Sequence, residues 1–200
     1  MKAVVHLVRH GKVENPKGVI YGRLPGYNLS ELGLEQAAAA AEHLAGRNLT
    51  AVWASPLERA QETAAAIAAP HGLEVVTDDR LIESDTTLEG VGRSVLALLK
   101  SPKSWWSMRN PFAPSWGESY ENIKARMLEV VWEGVGAAGG GEIVFVAHQT
   151  PVQVAQLGLR GWRFIPPWAP RVVPCSTGSV ATMELDGKRL LSATYWVPPV

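Results

Sequence analysis

Residues Ala3 to Val8 (AVVHLV) form a short, almost wholly aliphatic run that stops abruptly at Arg9, His10 and Gly11. A run of this length with apolar residues on both alternating faces reads as a strand covered on two sides, the situation of parallel sheets sandwiched by helices. Its sudden polar end, with glycine, reads as a tight turn. The same pattern recurs at Thr50–Ala54, Leu73–Thr77 and Glu142–Ala147. Helical stretches separate these runs. Ser30 caps a helix from Glu31 to about Gly46, in which Ala37 to Ala41 carry high helical propensity. Ser55 and Pro56 read as an N-cap followed by proline at the first helical position, opening a helix to about Ala69. Tyr120 to Ala138 is helical, and another helix begins near Pro151. Ser179–Leu185 and Leu190–Trp196 flank Asp186 and Gly187 as a hairpin. This alternation predicts an α/β, three-layer sandwich with a mainly parallel central sheet and helices on both faces.

The 200 residues, 46% hydrophobic and 19% charged, suit one soluble domain spanning 1–200. Nineteen basic residues balance nineteen acidic ones. No general attraction to nucleic acid or to an anionic membrane follows, so any anion site must be local. A single cysteine, Cys175, suits a reducing compartment, and the short apolar run before Arg9 lacks the layout of a signal peptide. The expected location is the cytoplasm. Residues from about 88 to 117 differ in character. A short helical segment to Lys100 gives way to Trp105, Trp106, Arg109 and Trp116 among prolines, read as a helical and loop insertion over the sheet.

Ligands of such sheets bind beyond the carboxyl ends of the strands. The first strand delivers Arg9 and His10 there, and the second delivers Ser55 and, one turn on, Arg59. Glu83 follows the third strand and His148 the fourth. Two arginines, two histidines and a carboxylate suit a phosphate, because guanidinium forks bind its oxygens in pairs.

These segments also resemble those of a known family. Leu7 to Gly11 (LVRHG) is similar to the signature of the histidine phosphatase superfamily, which includes cofactor-dependent phosphoglycerate mutases. Ser55 to Ala64 (SPLERAQETA) resembles its second arginine segment, and Leu81-Ile-Glu83 with Glu89-Gly90 its acid segment. Gly117-Glu-Ser119 and Val144 to His148 (VFVAH) resemble two further motifs in the same order. The resemblance implies that His10 attacks phosphorus and becomes phosphohistidine. Arg9, Arg59 and His148, with Asn15, would hold the phosphoryl oxygens, and Glu83 would serve as acid and then base. Tyr21, Gly22 and Gln149 fall at substrate-contacting positions, and Arg109 of the insertion would select the leaving group. The scheme requires no cofactor and no metal, and its partner is a small phosphomonoester. Lys12 replaces a common acidic residue, and Gln149-Thr150-Pro151 replace small residues; both departures bear on substrate choice.

Simpler roles compete at several positions. Arg59 could pair with Glu62. His6 and His10 lie about 13 Å apart on a strand at ~3.3 Å per residue, too far to share an ion. Cys175 suits packing, and the tryptophans could anchor the insertion. For function, a phosphatase competes with a phosphoglycerate mutase and with a non-catalytic binding module. Ser84, Asp85 and Thr86 follow Glu83 in place of the mutases' Arg-His-Tyr-Gly, which favours the phosphatase.

Overall fold

The computed structural model describes residues 2–92, 94, 100–102, 117–166 and 169–200. Their elements run β1 (Lys2–Arg9), α1 (Glu31–Leu44), β2 (Leu49–Ala54), α2 (Glu58–Ala68), β3 (Val75–Thr77), α3 (Tyr120–Ala137), β4 (Glu142–Ala147), α4 (Gln149–Leu159), β5 (Val180–Asp186) and β6 (Arg189–Trp196). The six strands lie in the order β3-β2-β4-β1-β5-β6. β3, β2, β4 and β1 are mutually parallel, while β5 and β6 add an antiparallel edge.

Side chains alternate across the sheet and sort the core into two layers. Val5 and Leu7 of β1, Trp53 of β2, and Ile143 and Phe145 of β4 face Ile123, Met127 and Val130 of α3 and Val154 of α4. Val8, Val52, Ala54, Val144 and Val146 face the opposite way, onto Ala40, Ala41 and Leu44 of α1 and Ala60, Ala64 and Ile67 of α2. The alanines of α1 and α2 are therefore the contact face of a close-packed helix pair, as well as good helix formers. His6 interrupts the apolar run and is fully buried. Its Nε2 lies 2.7 Å from Glu142 Oε2 and its Nδ1 2.9 Å from the Thr182 hydroxyl. Burial outweighs the carboxylate and lowers its pKa, so a neutral imidazole donates to Glu142 and accepts from Thr182. Its role is structural.

Three expectations are corrected. The second helix begins at Glu58 and not at Pro56, with Leu57 as its cap residue. Ser55 cannot cap it well, because its hydroxyl is committed to His148 at 2.7 Å and only a long 3.4 Å contact reaches Leu57 N. The last helix starts at Gln149, two residues before Pro151, since proline is tolerated throughout a first turn. Leu88 to Gly92 is a turn and a bridge to Val19 and not the start of a helix. Most of the insertion, with Trp105, Trp106, Arg109 and Trp116, lies outside the described residues.

The turn after β1 depends on a close backbone approach to the start of α1. A Cβ on Gly33 would sit 2.0 Å from the Lys12 carbonyl oxygen, and one on Gly11 would sit 2.4 Å from that of Gly33. Neither carbonyl belongs to a flexible group that could move aside. Gly33→Ala should therefore cost about 1–3 kcal/mol, the scale of overpacking. Its Tm should fall by several degrees in thermal denaturation; an unchanged Tm would contradict this packing.

Candidate active site

Strand register sets the site. β1 pairs with β4 so that Arg9 opposes Ala147, and β2 pairs with β4 so that Ala54 opposes Val146. The residues that leave these strands, His10, His148 and Ser55, therefore emerge side by side. His10 N continues the ladder onto Ala147 O at 3.1 Å, and Ser55 N onto Val146 O at 3.0 Å. In the first turn of α2, Arg59 lies close to the same edge. Thr63 ties the two segments together, accepting from Gly11 N at 3.1 Å and donating to Arg59 O at 2.8 Å.

His10 is almost fully buried, with its Nδ1 2.7 Å from the Gly11 carbonyl. Burial, reinforced by the charges of Arg59 and Arg9, pushes its pKa down to about 3. A neutral ring facing a carbonyl must carry its proton on Nδ1, which leaves a lone pair on Nε2. His148 is fully buried beside it, with ring centroids 5.1 Å apart. Burial, then the neighbouring His10 and Arg59, hold the His148 pKa well below the usual imidazole range.

Around these rings lies a set of unpaired nitrogens, most of them guanidinium donors. Arg59 is fully buried, yet only Nη2 is engaged, donating to Gly22 O at 2.7 Å. Its Nε and Nη1, the Nε of Arg9 and the Nδ1 of His148 are buried without a hydrogen-bond partner among the described residues. Arg9 is held by Nη1 donating to the Cys175 carbonyl at 2.7 Å. The Arg59 guanidinium sits 4.8 Å from the centroid of the Tyr21 ring, and Tyr21 stacks on Tyr27. Leaving buried donors unpaired costs about 1–3 kcal/mol each, so a compact anion entering here would relieve a penalty already incurred in folding. The simpler alternative for Arg59, a pair with Glu62, does not form; Glu62 accepts instead from Leu29 N at 2.7 Å.

Glu83 is half-buried, with Oε1 accepting from Ser84 N at 2.8 Å and from the Ser84 hydroxyl at 3.1 Å. Loss of hydration raises its pKa above the usual carboxylate range, against the opposing hydrogen bonds of Ser84 and the charges of Arg59 and Arg9. Arg23 holds the acid loop by donating from Nε to Glu83 O at 2.8 Å. Glu118 of the Gly-Glu-Ser segment braces it in turn, pairing with Arg23 and, through two bonds of 2.8 and 2.9 Å, with Arg126.

A cavity of about 280 Å³ opens on this cluster, lined by Arg9, His10, Val19, Ile20, Tyr21, Gly22, Glu83, Ser84, Thr86, Gln149 and Thr150. Six of the residues singled out from sequence thus meet at one cavity, with Arg59 and His148 packed behind them. Asn15 lies in an adjoining cavity that shares Arg9 and Tyr21, and both ends of its amide are engaged by the Val19 backbone. Arg109 lies outside the described residues. Arg23, which sits in a loop without periodic signal, is not singled out from sequence; Ser84 and Thr86 read there only as departures from the mutase pattern, and the hydroxyl of Ser55 only as a helix cap. Cys175 contributes a backbone carbonyl, while burial pushes its thiol up to about 12. Among the described residues no group of three or more His, Cys, Asp or Glu is placed to hold a metal ion. None of the described helices is long and apolar enough to cross a membrane.

Comparison with known proteins agrees with this geometry. The model of the histidine phosphatase superfamily (branch 1) matches residues 5–196. The chain is 50% identical over 197 residues to the uncharacterized protein Rv0525 of Mycobacterium tuberculosis, covering 97% of this chain and 96% of that one. It is 29% identical over 190 residues to phosphoserine phosphatase 1 of Hydrogenobacter thermophilus, covering 92% and 87%. The structure of a mycobacterial glucosyl-3-phosphoglycerate phosphatase in complex with VO3 superposes with a TM-score of 0.76 at 27% identity, covering 98% of each chain. With a family match across nearly its whole length and the fold of that family's phosphatases, the chain belongs to the histidine phosphatase superfamily, branch 1.

Proposed function

We propose that the protein is a cytoplasmic phosphomonoester hydrolase that acts on a small phosphorylated metabolite through a phosphohistidine on His10. One observation carries this reading: a neutral His10 with a free Nε2 lone pair, ringed by the unused donors of Arg9, Arg59 and His148. Nε2 attacks phosphorus as the bond to the leaving oxygen breaks. The Nδ1–H bond to Gly11 O stabilises the cationic ring that forms. Arg9, Arg59 and His148 hold the phosphoryl oxygens where transition-state charge develops. Glu83, whose pKa burial raises, donates its proton to the departing alkoxide. A water then attacks phosphorus while Glu83 takes its proton, the P–N bond breaks, and phosphate leaves with His10 neutral again. Tyr21, Gly22 and Gln149 line the path of the leaving group, and Asn15 flanks Arg9. Ser84, Asp85 and Thr86 follow Glu83 where the mutases carry Arg-His-Tyr-Gly, which favours hydrolysis over transfer to an isomeric acceptor. The phosphatases among the chain's relatives and structural neighbours support the same choice.

His10→Ala should fold normally and lose turnover completely, because no other group can accept the phosphoryl. Acid quench of the wild type with labelled substrate should trap an acid-labile adduct on His10. Undiminished turnover by the variant would refute the reading.

The pH dependence follows from the signs of the shifts. His10, at about 3, is already neutral throughout the working range and contributes no acid limb near neutrality. Glu83 must be protonated to act as acid, so kcat/KM for an alkyl phosphate should hold below its raised pKa and fall as pH rises through it. Glu83→Gln should lower kcat/KM for alkyl phosphates by about 10²- to 10⁴-fold and remove that basic limb. Release of nitrophenolate, a weakly basic leaving group, should change far less. Equal loss on both substrates would place the acid elsewhere.

Turnover should survive exhaustive chelation, since Arg9 and Arg59 supply the positive charge at the phosphoryl group. Vanadate should inhibit competitively by adopting the pentacoordinate geometry of the transferring phosphorus. A strict requirement for added magnesium would contradict this scheme.

A further inference from the structure

The hydrogen-bond accounting around Ser55 is incomplete unless its hydroxyl has a functional direction. Ser55 is fully buried at the exit of β2. Its backbone is already committed, with N donating to Val146 O and O accepting from Gln61 Nε2. Among the described residues the hydroxyl has two hydrogen-bonding neighbours: Leu57 N–H, which can only donate to it, at 3.4 Å, and His148 Nε2 at 2.7 Å. If His148 carried its proton on Nε2, Ser55 would accept from both neighbours and its own O–H would be buried without an acceptor. His148 Nδ1 would then present a lone pair within a site built for an anion. In the other tautomer every proton has a place. The Ser55 O–H donates to Nε2, Leu57 N–H points at the hydroxyl oxygen, and Nδ1–H becomes one of the unused donors beside His10.

We propose that Ser55 is a positioning residue whose hydroxyl fixes His148 as the Nδ1–H tautomer and so aims a donor at the phosphoryl oxygens. The inference rests on the phosphohistidine reading for its consequence, but the tautomer itself is a property of the resting protein. Ser55 contacts neither substrate nor the reacting nitrogen and acts only through the second histidine. The bond also explains why this serine, adjacent to proline at a strand exit, does not cap α2. The hydroxyl is turned inward, across the carboxyl edge of the sheet, to a residue 93 positions away. Nε2 is thereby blocked as a second nucleophile, which leaves Nε2 of His10 as the free imidazole lone pair of the two rings.

The test joins spectroscopy with a mutant cycle. In wild-type protein carrying ¹⁵N-histidine, two-bond proton–nitrogen correlation spectra should give His148 a protonated, pyrrole-type Nδ1 and an unprotonated, pyridine-type Nε2. Histidine assignment by the His148→Gln variant identifies the signal. Ser55→Ala, which removes one buried oxygen and leaves the backbone bonds intact, should shift the ring toward the Nε2–H form. It should lower kcat by about 10- to 100-fold, as loss of an orienting partner does at other sites, with KM changed little. Ser55→Thr should restore the Nδ1–H signal and most of kcat. In the His148→Gln background, Ser55→Ala should cause no further loss. A pyrrole-type Nε2 in the wild type overturns the proposal whatever the activity, as does an additive loss in the double variant. If Ser55→Thr packs poorly and melts early, the Ser55→Ala spectrum and the double variant still decide. Turnover that survives His10→Ala would instead refute the phosphohistidine reading, a failure that the tautomer spectrum does not share.

Discussion

The parallel pairing of β1, β4 and β2 is the constraint from which the site follows. Hydrogen-bond register places Arg9 beside Ala147 and Ala54 beside Val146, so His10 and His148 leave their strands together and Ser55 leaves β2 one residue lower, next to them. The antiparallel addition of β5 to β1 closes the other flank of β1, so the strand that leads into His10 is paired on both edges. A one-residue slip of either parallel pair would move a histidine to the opposite face of the sheet. The two apolar layers forbid such a slip, because Val5, Leu7 and Phe145 cannot exchange places with Val8, Val144 and Val146 without exposing or overfilling a layer.

That placement creates an electrostatic conflict which defines the chemistry. Arg59 enters the interior as a cation with two nitrogens unpaired, close to two imidazoles that burial keeps neutral. Elsewhere such a group would be among the more destabilising features of a fold. Here it is stabilised by the Gly22 carbonyl, by the face of Tyr21 and by attraction to Glu83, Glu58 and Glu89. An anionic phosphoryl group would complete the arrangement. The same desolvation acts in opposite senses on its neighbours, lowering the histidine pKa values and raising that of Glu83, which brings the two kinds of group closer in acidity.

Around this centre a ring of ordinary contacts fixes geometry. Glu89 accepts from Arg23 N at 2.5 Å, Arg23 holds the Glu83 carbonyl, and Glu118 joins Arg23 to Arg126. Sequence reading assigned no role to Glu89. It packs so closely beneath Gly22 that a Cβ there would meet its Oε1 at 2.3 Å. With φ of 43° at Gly22, the loop that supplies a carbonyl to Arg59 needs glycine both for its conformation and for the space.

The sequence by itself determined the sheet, its flanking helices and most of the residues that meet at the candidate site. Strand runs such as Glu142–Ala147 are set by local apolar periodicity, and Arg9, His10, Arg59, Glu83 and His148 stand at strand exits and in motifs that need no coordinates to be read. Helix starts were less legible. Ser55-Pro56 has the local chemistry of an N-cap, but a bond to His148 across the sheet overrides it, and no local pattern encodes a partner 93 residues distant. Tertiary structure alone decided which nitrogen of each histidine is free, that Arg59 reaches Gly22 and not Glu62, and that Asn15 turns its amide onto Val19. It also decided that Arg23 braces the acid loop. All of these depend on directional bonds between segments far apart in sequence. Hydrophobic period fixes which face a residue occupies, whereas proton placement is fixed only when donor and acceptor meet.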